Sequence, residues 1–119
     1  MRLKIKYDKG LGYIHVVTSG NFNETTAVEW QKTMAMQVAH YQCQKILHDM
    51  RPAKIDIDTY SIYELPKSAR GMGLQNTRRA IIYSGEPQDF LFFETVASNQ
   101  GQIVRVFTEM NEAIVWLLA

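Results

Sequence analysis

The apolar positions in the first third of the chain change from a spacing of two to a spacing of three and four. Apolar and basic residues alternate over 3–7, turn residues fill 8–12, and β-branched and aromatic residues dominate 13–19. This region therefore predicts a β-hairpin. A helical stripe follows, at Ala27, Trp30, Met34, Val38 and Tyr41. We expect this helix to run from residue 24 to about 42, with Asn23 as its N-cap.

Strands and helices alternate in the remainder of the chain. Short apolar runs predict parallel strands at residues 45–50, 79–84 and 103–107. The region between the first two of these runs has helical spacing but contains Pro66. Since proline removes a hydrogen bond inside a helix, we expect one kinked helix or two short ones over 53–74, capped by Asp58.

The last two predicted helices have recognisable ends. Pro87 stands near the first position of the earlier helix, and Gly101 supplies the left-handed residue that ends it. Its core stripe consists of Phe90, Phe93 and Ala97. Thr108 is the expected cap of the final helix.

The predicted order of elements is ββαβαβαβα. Because strand-helix-strand crossovers are almost always right-handed, we expect helices packed on a mixed sheet of about five strands, in one α/β domain over residues 1–119. Ligands of such sheets usually bind beyond the carboxyl ends of the strands. Those ends fall at Ser19, Gly20, Asp49, Met50, Arg51, Ser84, Gly85 and Thr108.

The composition adds limits on partners and compartment. The chain has 119 residues, with 46% hydrophobic residues, 21% charged residues and a net charge of +1, which gives no reason to expect nucleic acid or an anionic membrane as partner. The longest apolar run, 113–119, is far shorter than the roughly 20 residues that span a bilayer. Cys43 is the only cysteine, and the alternating start does not resemble a secretory leader. We therefore expect a cytoplasmic protein.

Two stretches combine core and cap residues in a recognisable way. One is Ile46-Leu47-His48-Asp49-Met50-Arg51, a strand that ends in an acidic residue. The other runs from 93 to 101, through the strand 104–107, to Glu112-Ala113-Ile114-Val115-Trp116-Leu117. With the element order, they resemble the SpoIIAA-like, or STAS-like, family of small bacterial proteins of unknown function. The resemblance covers nearly the whole chain and implies the fold rather than an activity.

The resemblance brings in a regulatory motif for comparison. Anti-sigma-factor antagonists of this fold resemble one another in an Asp-Ser-Ser-Gly stretch at the start of the second helix, whose second serine is phosphorylated by a partner kinase. The corresponding residues here are Asp58, Thr59, Tyr60 and Ser61. Tyr60 stands at the phosphorylated position and no glycine follows, which argues against this switch. Thr59 and Ser61 are the remaining candidate phosphorylation sites.

Residues suited to catalysis or metal binding are scattered. His15, His40 and His48 lack metal-ligand spacing, so we expect neither a metal nor a cofactor. His48 and Asp49 are neighbours on a strand and should face opposite ways. Asp49 is the best single candidate, either for fixing the following loop or for binding Arg51 or a ligand. Because no catalytic motif is found, we expect a protein that is not an enzyme.

Two features indicate binding instead. A basic run consists of Lys67, Arg70, Arg78 and Arg79. It is either a solvated face or a site for a phosphate or an acidic partner.

The second feature is the Phe-Leu-Phe-Phe run at 90–93. Four consecutive apolar residues cover more than one face of a helix, so Leu91 or Phe92 should point away from the sheet. Three interpretations are open: a homodimer through this helix, a pocket closed by Tyr60, Tyr63 and Met72, or a helix buried on two sides.

We therefore expect a STAS-like binding or regulatory domain that recognises a partner protein or a small apolar or anionic ligand. An alternative is a carrier of a small apolar or lipid-type ligand, with a pocket near the second and third helices. A phospho-switched anti-sigma-factor antagonist is a further hypothesis. The candidate binding residues are Asp49, Arg51, Asp58, Thr59, Tyr60, Tyr63, Arg70, Phe90 and Phe92.

Overall fold

The computed structural model describes residues Met1–Ala119 as a mixed sheet of six strands with four α-helices. The elements are β1 (Arg2–Asp8), β2 (Tyr13–Asn23), α1 (Glu24–Tyr41), β3 (Lys45–Asp49), β4 (Ala53–Asp56), α2 (Thr59–Ala69), β5 (Arg78–Ile82), α3 (Gln88–Asn99), β6 (Ile103–Phe107) and α4 (Met110–Leu118). The sheet order is β1-β2-β3-β5-β6, and β4 pairs with β2. None of the helices is long and apolar enough to span a membrane.

The predicted hairpin of β1 and β2 is confirmed as the one antiparallel pair. The sheet has six strands where about five were predicted, because β4 forms within the region predicted to be helical. The long β2 extends past the residues that pair with β1 and β3, and its end at Gly20–Asn23 pairs in parallel with Ala53–Asp56. The order is therefore ββαββαβαβα.

The predicted N-cap of α1 is present in the structure, and the predicted N-cap of α4 is not. Asn23 is confirmed as the N-cap of α1: its Oδ1 accepts from the Thr26 amide at 3.0 Å, and Thr26 Oγ1 accepts from the Asn23 amide at 2.8 Å. Thr108 does not cap α4. That helix starts one residue later, with the Glu109 carbonyl accepting its first backbone bond, and the Glu109 side chain caps nothing.

The region around Pro66 forms one helix after β4. Asp58 caps α2 as predicted, with Oδ1 accepting from the Ser61 amide at 2.7 Å. The helix continues through Pro66 to Ala69 and ends in a short 3₁₀ turn, Arg70–Met72. In that tighter last turn the Arg70 amide donates to the Lys67 carbonyl.

The handedness of the crossovers sets the layers. The chain moves along the sheet in one direction, from β2 to β3 to β5 to β6, so right-handed crossovers place α1, α2 and α3 on the same face. The helix after the last strand, α4, covers the other face, where it packs on Tyr13, Leu47, Ala80 and Ile82 through Ala113 and Leu117. On the three-helix face, α2 packs mainly on α3 and α1 rather than on the strands.

Candidate functional site

A pocket lies between the sheet and the three helices on its first face. It exists because α2 bridges α1 and α3 instead of resting on the strands. Its cavity volume is about 70 Å³. Eleven of its fifteen lining residues are hydrophobic. The hydrophobic lining includes Phe22, Trp30, Met50, Ile62, Ile81 and Phe93.

The pocket reaches the carboxyl edge of the parallel strands, where the topology predicts ligands. Phe22 lies at the end of β2 and Met50 directly follows β3. The residues predicted to close a pocket here are different. Tyr60 and Tyr63 are 73% and 41% exposed on the outer side of α2. The helical period turns Ile62 inward instead, so the prediction that the two tyrosines line the pocket is wrong.

Arg79, near the start of β5, is the only cation among the lining residues. It is 3% exposed, and one guanidinium nitrogen donates to the side-chain oxygen of Gln102. Gln102 Nε2 in turn donates to the Pro66 carbonyl at 2.7 Å. No carboxylate forms an ion pair with Arg79. Burial lowers its pKa to about 10, so the group is still charged at neutral pH.

His48 forms the neutral part of the same wall. Its ring stacks on Trp30 with centroids 4.3 Å apart, and its Nε2 lies 2.9 Å from Thr18 Oγ1. Burial, with the nearby charge of Arg79 as a smaller cause, lowers the pKa of His48 to about 3. His48 is therefore uncharged at neutral pH.

Two N–H donors in the pocket wall lack acceptors. They are Trp30 Nε1 and Arg79 Nε, both buried. Only two other buried side-chain nitrogens in the molecule are without a partner, on His15 and Arg78. An unsatisfied buried donor costs about 1–3 kcal/mol. Two of the four unpartnered buried nitrogens therefore belong to residues that line one pocket.

Asp49 lies on the opposite face from His48, as strand alternation predicts. Both of its oxygens accept from Arg51: Nε donates to Oδ1 at 2.9 Å and a terminal nitrogen donates to Oδ2 at 2.8 Å. The Arg51 amide also donates to Oδ1. Burial acts to raise the pKa of Asp49, but the hydrogen bonds and charge of Arg51 outweigh it, and the pKa is lowered. The carboxylate thus fixes the loop after β3.

The remaining candidate residues do not converge on one place. Of the nine candidate binding residues, only Phe90 lines the pocket. Its ring stacks on the Tyr83 ring, with the centroids 4.7 Å apart. Thr59 is exposed in the first turn of α2, whereas Ser61 is buried. Phosphorylation at either residue stays a prediction. Leu91 and Phe92 are 49% and 36% exposed, so both do point away from the sheet.

The basic run is not a single solvated face. Lys67 is exposed, and Arg70 is exposed with its side chain on Gln100. The guanidinium carbon of Arg78 lies 4.0 Å from the centroid of the Trp116 ring, on the α4 side of the sheet. Arg79, its neighbour in the strand, faces the other way into the pocket wall.

Trp30 and Gln102 were not predicted as site residues. His48 was considered only for metal binding or catalysis, and Arg79 only as part of the basic run. One signal was available for Arg79. It begins a predicted strand that is otherwise apolar, and strands covered on both faces bury every side chain. For Gln102 no local signal exists, because its role depends on Arg79 and Pro66, which are distant in sequence.

Comparison with known proteins supports the fold. No protein-family model and no curated sequence matches the chain. An uncharacterised DUF3478-family protein with a SpoIIAA-like fold, from Shewanella loihica PV-4, is 16% identical with a TM-score of 0.61, covering 98% of this chain and 92% of that one. The anti-sigma factor antagonist SpoIIAA in its unphosphorylated form is 9% identical with a TM-score of 0.58, covering 97% and 96%. The predicted SpoIIAA-like fold is confirmed.

Proposed function

We propose that this chain, which has the SpoIIAA-like fold, is a non-enzymatic binding domain that holds a small apolar ligand beneath α2. The observation that carries the proposal is the pocket itself, with mostly hydrophobic walls from three helices and the sheet. Its aromatic residues are Phe22, Trp30, Phe90 and Phe93, together with the imidazole of His48. Apolar ligand surface buried there gains about 25 cal/mol per Å².

Helix α2 is the element through which binding would be sensed. Its inner side, with Ile62 and Leu65, contacts the pocket, and its outer side exposes Tyr60 and Tyr63. Buried amides hold it in place: Gln31 Nε2 donates to the Leu65 carbonyl at 2.8 Å, for example. A ligand that pushes on the inner side would therefore shift a surface that a partner protein can recognise.

A titration with 1-octanol, followed by the indole N–H resonances, tests this proposal. Trp30 lies in the pocket wall, and Trp116 lies on the α4 side of the sheet. We expect the Trp30 resonance to move saturably with 1-octanol while the Trp116 resonance stays in place. Native mass spectrometry of protein purified without added ligand would show whether a ligand is retained.

A filled pocket provides the control. Ala27 is 1% exposed and lines the pocket, so Ala27→Leu should weaken 1-octanol binding by occupying the same space. Met36 is 71% exposed on the same helix, and Met36→Leu should bind as wild type does. An unmoved Trp30 resonance, or equal binding by the filled variant, would refute the proposal.

A further inference from the structure

Two polar side chains of the pocket wall have donors that lack acceptors. Arg79 Nε and Trp30 Nε1 are both buried and unpartnered. Neither an arginine nor an indole N–H can accept a hydrogen bond. A ligand group that pairs with either donor is therefore an acceptor, and the positive charge of Arg79 favours one that is negatively charged.

The charge of Arg79 has no counterion within the protein. The only carboxylate among the lining residues, Asp89, is exposed in the first turn of α3 and forms no ion pair with Arg79. Water screens the charge of Asp89, whereas the Arg79 guanidinium is 3% exposed and weakly screened. Gln102, its one hydrogen-bond partner, is neutral. Buried charges in proteins are normally paired.

We infer that the ligand of this pocket is an amphipathic monoanion, an apolar body with one carboxylate, whose head group binds the Arg79 guanidinium. The inference rests on the proposed function and adds the chemical class of the ligand. The carboxylate matches the fork of an arginine and supplies acceptors for the unpartnered donors. The apolar body then lies against the aromatic and aliphatic walls.

Charge balance selects one negative charge over two. Arg79 is the only cation in the wall, and His48 is neutral at neutral pH. A dianionic phosphate would keep one charge uncompensated in a mostly apolar site, and Asp89 at the wall would add repulsion. A monocarboxylate is balanced by the single guanidinium.

The test compares three probes with the same tail: octanoate, 1-octanol and octyl phosphate, each titrated at neutral pH. The dissociation constants come from the Trp30 indole resonance, with Trp116 as the internal control. We expect octanoate to bind at least about tenfold more tightly than 1-octanol, the gain of a charged hydrogen bond. Octyl phosphate should bind more weakly than octanoate.

Arg79→Met is the decisive variant, because it keeps an apolar stem of similar length and removes the charge. It should remove the preference for octanoate, so that octanoate binds no more tightly than 1-octanol. Equal binding of octanoate and 1-octanol by wild type would overturn the inference and keep the proposed function. A preference that survives in Arg79→Met, or tighter binding of octyl phosphate, would also overturn it. If no probe moves Trp30, the proposed function fails as well.

Asp89→Asn keeps the test informative if Arg79→Met does not fold. Asp89 is exposed, so its replacement should leave folding intact. Removing its charge should increase the preference for octanoate over 1-octanol by about twofold or more. Equal effects on both probes would show that the wall does not select for charge.

Discussion

Two buried side chains, those of Arg79 and His48, determine the charge of the pocket wall. Arg79 and His48 occupy the same wall, and both are less than 6% exposed. Burial acts on both in the same direction, since it disfavours the charged form. The histidine loses its charge as a result, whereas the arginine, with a much higher ordinary pKa, keeps it. One neutral ring and one unpaired cation therefore face the pocket.

Replacing Arg79 should reveal the cost of its burial. Exchanging an uncompensated buried charge for an apolar side chain is often neutral or stabilising. We expect the free energy of unfolding of Arg79→Met, measured by urea denaturation, to be unchanged or raised by up to about 4 kcal/mol. The matched control is Arg78→Met, which loses a 2.7 Å bond to the Trp116 carbonyl and the stacking on that ring.

In Arg78→Met the free energy of unfolding should fall by about 1 kcal/mol. A loss of several kcal/mol in Arg79→Met would instead show that its hydrogen bond to Gln102 is essential to the fold.

His48 makes the stability depend on pH. Its pKa is about 3 in the folded protein and near 6.5 when unfolded, so between these values only the unfolded chain binds the proton. Stability is then lost as pH falls from about 6.5 toward 3, by at most about 1.4 kcal/mol per unit. His15, whose pKa burial also lowers, acts in the same sense. Asp49, whose pKa lies below its ordinary 3.8, acts only at lower pH.

His48→Gln isolates this effect. It should be less stable than wild type at neutral pH, because the packing on Trp30 is lost, and the difference should shrink on acidification. Urea denaturation between pH 7 and pH 4 gives the slope of the free energy of unfolding against pH for wild type and for His48→Gln. His40→Gln, at an exposed position of α1, should keep the wild-type slope. Parallel curves for wild type and His48→Gln would contradict the assignment.

At the scale of elements, the helix starts differ in how their free amides are satisfied. The capping box of α1 pairs Asn23 and Thr26 reciprocally. The N-cap of α4, Glu109, makes no side-chain cap. Since both helices follow a strand, they form a natural pair for measuring the contribution of a cap.

Asn23→Ala should lower the free energy of unfolding by about 0.5–2 kcal/mol, because the Thr26 amide loses its acceptor. Glu109→Ala, at the uncapped helix, should change it by less than about 0.5 kcal/mol. Urea denaturation of both variants tests the pair. Equal losses would mean that the capping box of α1 contributes nothing.

At the scale of the whole molecule, one side of α3 has no partner within the chain. Leu91 and Phe92 are exposed, and the homodimer predicted through this helix remains a prediction. If it forms, Phe92→Asp should give monomers by light scattering at the concentration where wild type is dimeric, with stability changed by no more than about 0.5 kcal/mol. Thr95→Asp, exposed one helical turn further on, is the control for added charge. Monomeric wild type would exclude this interface.

The periodicity of the chain was enough to predict most elements, and the family resemblance implied the SpoIIAA-like fold. The hairpin, the parallel strands and the caps at Asn23 and Asp58 follow from local spacing and side-chain chemistry. The fourth strand could not be predicted in this way. Ala53–Asp56 forms a strand because the end of β2 is available to pair with it, and such pairing between distant segments has no local signature.

The sequence by itself determined which residues are apolar, where α1 and α2 begin and the direction in which the strands follow one another. Only the tertiary structure decided that α2 would bridge α1 and α3 and leave a pocket beneath it. It also separated Arg78 from Arg79 onto opposite faces, one against Trp116 and one in the pocket wall. The physical reason is that burial and hydrogen-bond satisfaction depend on neighbours that folding brings from distant parts of the chain.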